Sequence, residues 1–159
     1  MRQIIRRREI VVDELRYAGE APSSGTISVQ TLAERVTAAA AAPAAVLLSA
    51  TDEVEMLAPH LAGVRWIVVE FSKIGEGRGY SQARLLRQRY RYPHELRARG
   101  ALKRDQLFLL ARCGFDAFEL DPAEDLTAAL AAFGSFSVAY QDGSDALVSV
   151  RRRAPGAAA

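Results

Sequence analysis

Residues 66–87 read WIVVEFSKIGEGRGYSQARLLR. The run from Trp66 to Phe71, interrupted only by Glu70, has the length and the β-branched content of a buried strand. It meets a loop in which Gly75, Gly77 and Gly79 let the backbone turn tightly, and beyond Ser81 the apolar residues recur with helical spacing. Ser81 is placed to cap that helix. Amides at a helix start carry partial positive charge, to which Lys73, Arg78 and Arg84 add full charges, so the junction suits a small anion such as sulfite, sulfate or phosphate. The anion-binding candidates are therefore Lys73, Gly77, Arg78, Gly79, Tyr80, Ser81 and Arg84. The spacing matches neither GxxxxGK[ST] nor GxGxxG, which sets aside the usual nucleotide-phosphate signatures.

Working outward, three more short segments are strand candidates: Val46 to Ser49, Glu95 to Arg99 and Ala117 to Leu120. Each strand of the set is followed by helical periodicity, over Thr51 to Leu61, Ser81 to Tyr90, Lys103 to Cys113 and Pro122 to Phe133. Gly114 suits a C-cap and Pro122 a first helical turn. Strand starts about twenty to thirty residues apart fit βα crossovers and hence a parallel sheet. Gln3 to Ile5 and Glu9 to Asp13 predict an N-terminal hairpin around Arg6, Arg7 and Arg8. A second hairpin is predicted around Asp142 and Gly143. Ala21 to Gly25 reads as a loop, and Ile27 to Ala42 as an alanine-rich helix. The expected fold class is α/β: one domain over residues 1–150, its mostly parallel sheet built from βα units with terminal β-hairpins, then a disordered tail at 151–159. An open sheet is expected ahead of a barrel, since a full eightfold βα barrel needs about 250 residues, with a partial barrel as the alternative.

At 159 residues, half of them hydrophobic, the chain can form a single domain that buries about two-thirds of its unfolded surface. It has no apolar run of membrane-spanning length and no signal-peptide pattern at the N-terminus, so a cytoplasmic location without membrane contact is expected. Cys113 is the lone cysteine, which rules out an internal disulfide or a cysteine-held cluster within one chain. Burial as a small side chain is its expected role. His60 and His94 do not form a metal-ligating spacing, and no motif for a bound cofactor is evident.

The net charge of +2 hides an asymmetry: Arg78 to Arg112 holds ten Lys or Arg against two acids, and the rest carries eleven bases against seventeen acids. A basic middle on an acidic body favours an anionic ligand or an acidic protein face. Nucleic acid is disfavoured, because the basic segment carries no helix-turn-helix, zinc-finger or RNP signature. Parallel sheets place ligands beyond the carboxyl ends of their strands, which selects Ser49, Asp52, Glu70, Lys73, Arg97, Arg99, Glu119 and Asp121. Glu70 and Tyr80 are the proton-transfer candidates for a catalytic role. Glu70 and Glu119, near several arginines, suit either an acid/base set or structural ion pairs.

The segments VVEFSKIGEGRGYSQARLLR (68–87), ELRARGALKRDQLFLLARCGFDAFEL (95–120) and FSVAYQ (136–141) are similar to the bacterial DUF934 family, and the likeness spans most of the chain. Members are often labelled probable oxidoreductases, and their genes commonly neighbour those of sulfite reductase. The resemblance therefore implies a part in assimilatory sulfite reduction, with the sulfite reductase hemoprotein as partner. Lys73, Gly77, Arg78, Gly79, Tyr80, Ser81, Arg84, Arg97, Asp105 and Gln106 match the family pattern, and the resemblance makes Arg97, Asp105 and Gln106 ligand or partner contacts. The chain departs from the pattern at Ser72 and Ile74, where proline and phenylalanine are usual, and at Ala101, where an acid is usual. Two functions follow as expectations. One is an accessory protein that delivers electrons or sulfite to the hemoprotein. The other is a stand-alone enzyme holding a sulfate- or phosphate-like substrate at Gly77 to Ser81.

Overall fold

The computed structural model describes residues 2–20, 27–37 and 44–134. Chain order begins with strands β1 (Gln3–Arg6), β2 (Glu9–Val12), β3 (Leu15–Arg16) and β4 (Ile27–Thr31), then helix α1 (Leu32–Thr37) and β5 (Ala44–Leu48). Next come α2 (Val54–Leu57), β6 (Val64–Phe71), α3 (Arg78–Gln88), β7 (Glu95–Gly100), α4 (Leu107–Cys113), β8 (Ala117–Glu119) and α5 (Leu126–Ala132). The eight strands among the described residues belong to one mixed sheet, in the order β2-β1-β8-β7-β6-β5-β4-β3. Every pair from β3 to β8 is parallel, whereas β1 runs antiparallel to both β2 and β8.

The two ends of that order are successive pieces of one chain. The Asp13 amide donates to the Arg2 carbonyl at 2.9 Å, completing the β1–β2 hairpin, and the Ile27 amide donates to the carbonyl of the next residue, Glu14, at 2.8 Å. A flat sheet would hold these edges apart by several strand spacings of about 4.8 Å each, far beyond the 3.8 Å between adjacent Cα atoms. The sheet therefore curls until β2 runs straight into β3, and the ladder closes into a small barrel. This overturns the open sheet expected from chain length. Closure is possible because the N-terminal hairpin and Leu15–Arg16 supply strands that the βα count omitted.

The helices lie on the convex side over the larger apolar cluster, which includes Ile67, Val69 and Phe71 of β6, Leu96 and Ala98 of β7, and Leu86, Leu107 and Leu110 of the helices. The intervening residues point inward, where Leu15, Tyr17, Val29, Ala45 and Val68 form a second cluster. Thus the concave face is the barrel interior. Among the described residues, no helix is long and apolar enough to cross a membrane.

Local chemistry corrects several expected boundaries. Ile27 begins a strand rather than a helix. Ile27, Val29 and Thr31 alternate with Ser28 and Gln30, and Thr31 then starts α1 with a reciprocal cap. The Glu34 amide donates to Thr31 Oγ1 (3.3 Å), and the Thr31 amide donates to the Glu34 carboxylate (2.6 Å). The expected helix at Thr51–Leu61 is a single α-turn followed by a 3₁₀ segment, Ala58–Gly63, with Pro59 near its start. Ser81 does not cap α3, which starts three residues earlier at Arg78 with Gly77 as N-cap. Pro122 belongs to a turn, and α5 starts instead after Asp125, whose carboxylate accepts from the Thr127 and Ala128 amides. Gly114 ends α4 at φ 107°, as its position predicts. The N-terminal hairpin forms as expected, around a turn with both Arg7 and Arg8 at positive φ. The expected loop at 21–25, the second hairpin and the 151–159 tail lie outside the described residues.

Candidate functional site

Two regions gather the candidate residues, on opposite faces of β6. On the convex side, the β6–α3 loop runs from Ser72 to Gly77. The Ser72 hydroxyl donates to the Glu76 carboxylate at 2.7 Å, which fixes the loop. The Arg78 Nη1 donates to the Ala50 carbonyl at 3.3 Å, and Gln82 Nε2 donates to the carbonyls of Ser49 and Asp52 at 2.8 and 2.9 Å. Asp52 in turn accepts from the Ser49 amide at 2.7 Å. These bonds tie the start of α3 to the loop after β5. Gln82 is a functional-looking polar group that the sequence reading passed over, buried with Oε1 unpartnered among the described residues.

Gly79 has a packing reason to be glycine, because a Cβ there would sit 2.5 Å from the Phe71 ring. Gly77 has no such neighbour within 4 Å. Tyr80 packs edge-on against Phe71 with ring centres 5.5 Å apart and accepts a long bond from Gln106 Nε2 at 3.4 Å. Burial pushes the Tyr80 hydroxyl up from its ordinary value, so it remains protonated at neutral pH. Gln106 Oε1 also accepts from the Lys103 amide, and Asp105 is exposed on the same 3₁₀ turn, Arg104–Gln106. Lys73, Arg78, Ser81 and Arg84 are all exposed. Lys73, Gly77, Arg78, Gly79, Tyr80, Ser81, Arg84, Asp105 and Gln106 thus share the convex side.

Glu70 and Arg97 do not join them. Glu70 lies on the inward-facing set with Val68, in register with Arg99, so it is separated from Tyr80 by the sheet. Glu70 instead shares that face with Glu119, both in register with Arg99. Arg97 is 0% exposed inside the barrel, apart from the exposed convex-side candidates. Its Nη1 donates to Asp13 Oδ1 at 2.7 Å, and its Nε and Nη2 both donate to Glu95 Oε1, at 3.0 and 2.8 Å. The outward neighbours Leu96 and Ala98 are apolar because they face the helices, and the charge goes inward.

The network around Arg97 extends along the interior. Arg2 bonds to Asp13 and Glu20, both at 2.7 Å, and to the Leu15 carbonyl, while Arg6 meets Glu95 at 2.7 Å and Glu14 at 2.9 Å. Glu119 accepts from the Tyr17 hydroxyl at 2.7 Å and faces Arg99 Nε at 3.4 Å. This places Glu119 in structural ion pairs, one of its two sequence readings. Burial, reinforced by the Glu119 charge, pushes the Tyr17 hydroxyl well up. Asp13 and Tyr17 were missed in the sequence. Their signal is the alternation Asp13, Leu15, Tyr17, which sends all three to one face of the β2–β3 strand.

Burial alone would raise the Asp13 carboxyl, but Arg97 and the Leu15 amide outweigh it and hold it below the usual range. A lowered folded-state value contributes stability that is complete above the unfolded value, about 3.9, and is lost as pH falls through the folded one. We expect thermal unfolding to shift downward as the pH is lowered from about 5 to 2. The shift should be smaller in Asp13→Asn, and calorimetric melts across that range check it.

With this geometry in place, residues 45–150 match DUF934, bacterial proteins of unknown function, and the chain belongs to that family. No curated protein and no solved structure matches the chain.

Proposed function

We propose that this DUF934 member is an accessory protein of assimilatory sulfite reduction, docking on an acidic face of the sulfite reductase hemoprotein to help deliver electrons or sulfite. The observation that carries the docking part is a division of labour among the cations. Arg2, Arg6, Arg97 and Arg99 are all paired with carboxylates at the barrel interior, whereas exposed Lys73 and Arg84 have no acidic partner among the described residues. Next to Lys73 on the same loop, Ile74 is 61% exposed, so a cation and an exposed apolar side chain adjoin there. Charged rims around an apolar contact steer association and then hold it. The pathway part rests on the resemblance carried by residues 68–87, 95–120 and 136–141.

The stand-alone enzyme remains the alternative, and the position of Glu76 weighs against it. Glu76, two residues before α3 and bonded to the Ser72 hydroxyl, adds a negative charge to the loop that an anion would have to approach. Lys73→Glu combined with Arg84→Glu should weaken binding to the purified hemoprotein at least tenfold at low salt and abolish any stimulation of sulfite reduction. Surface-plasmon binding together with sulfite turnover checks this. An unchanged affinity, or no complex with the wild-type chain, overturns the proposal.

A further inference from the structure

Where β8 ends, a cleft of about 800 Å³ opens at the carboxyl-terminal mouth of the barrel, bounded by β1, β8 and the start of α5. Arg2, Arg99 and Glu119 form its inner wall, Asp121 and Glu124 its rim, and Ile10 and Leu126 its apolar sides. The two arginines are not equivalent. Arg2 spends its nitrogens on Asp13, Glu20 and the Leu15 carbonyl. Arg99 stacks its guanidinium 3.5 Å from the centre of the Tyr17 ring and turns Nε toward Glu119 at 3.4 Å. Its terminal nitrogens have no partner among the described residues, and its side chain is 27% exposed. A guanidinium held by a ring face and a carboxylate, with its two terminal donors open, is prepared for fork-like binding of a ligand carboxylate.

The opposite rim carries the complementary charge. Asp121 is exposed and uses only Oδ1, which accepts from the Ala123 amide at 2.9 Å. Glu124 is partly neutralised by Lys103 at 3.2 Å. Asp125 also lines the cleft but caps α5 through Oδ1, so Asp121 and the second Asp125 oxygen are the carboxylate groups there without a cation among the described residues.

We propose that this cleft binds a free α-amino acid with an extended apolar side chain: the ligand carboxylate on Arg99, its ammonium group toward Asp121, and its side chain along Ile10 and Leu126. A cleft with both a prepared cation and a free carboxylate selects zwitterions, since either charge alone leaves one wall uncompensated. The site is separate from the docking surface on the convex side, so it stands whether or not the docking role holds.

The test is an NMR titration of the isotope-labelled full chain with L-norleucine and with its single-charge analogues hexanoate and pentylamine. Saturable shifts centred on Arg99 and Asp121 are expected for L-norleucine at about millimolar affinity or tighter, with both analogues at least tenfold weaker. Arg99→Gln should lower the affinity at least tenfold. Asp121→Asn, at an exposed rim position that cannot unfold the barrel, should weaken L-norleucine but leave hexanoate unchanged. No saturation by about 10 mM L-norleucine overturns the proposal. Equal binding of hexanoate, or an Asp121→Asn variant with wild-type affinity, also overturns it.

Discussion

Arg97→Met should lower the unfolding free energy by about 3–5 kcal/mol, a large share of the roughly 5–15 kcal/mol that holds a domain of this size together. The methionine fills much of the space, so the loss is electrostatic. Asp13 and Glu95 each accept from Arg97, and Glu119 lies 3.9 Å from it. Without the guanidinium these carboxylates face one another at the barrel wall with less compensation. Glu119 keeps Tyr17 and Arg99, and Asp13 keeps Arg2, which places the loss within that range rather than at complete unfolding. Arg97→Lys should recover only part of it, because an ammonium group cannot present the fork that reaches Asp13 and Glu95 together. Urea denaturation with unchanged slope checks the magnitude. The pH dependence identifies the cause. Burial raises the Asp13 carboxyl and Arg97 holds it down, so in Arg97→Met that value should rise and the deficit against wild type should shrink as the pH falls toward 4. A packing defect would persist at all pH values.

The same residue shows what the sequence displays and what it hides. Strand β6 and its glycine loop are legible because apolar run, turn glycines and helical period are all local, and the observed strand covers the predicted one. On β7 the alternation of Leu96 and Ala98 with Arg97 and Arg99 reads as one buried and one wet face. Both faces are enclosed here, and charge fills the inner one. Only Glu95, two residues away, is a local partner; the rest of the compensation comes from Asp13, 84 residues earlier, and from Glu119, held by the Tyr17 hydroxyl across 102 residues. Closure of the barrel rests on the same distant segment. The helix starts were missed for a smaller reason: Ser81, Pro122 and Thr31 each carry capping chemistry, and only at Thr31 does the following acid, Glu34, complete it.

Gly100→Ala should cost about 2–4 kcal/mol, combining backbone strain with an overlap that has no soft partner. Gly100 sits at φ +106°, and a Cβ there would lie 2.4 Å from the Phe71 carbonyl oxygen. That carbonyl is fixed from two sides, by its place at the end of β6 and by the Ala101 amide, which donates to it at 2.8 Å. Moving it would break the β6–β7 register just where the glycine loop departs. Gly75 also has positive φ, +82°, but with nothing within 4 Å, so Gly75→Ala should cost only about 1 kcal/mol of strain. Gly77→Ala should change stability by less than about 0.5 kcal/mol, since neither its φ of −75° nor any neighbour demands glycine. Thermal melts of the three variants should therefore rank Gly100 far above Gly75, and Gly75 above Gly77. The ordering also separates the two functional readings. A Gly77→Ala chain that melts like wild type yet loses sulfite, sulfate or phosphate binding would mean that a ligand approaches the backbone there, as the enzyme reading requires. Unaltered anion behaviour in that variant leaves exposed Lys73 and Ile74 as the working surface of the loop.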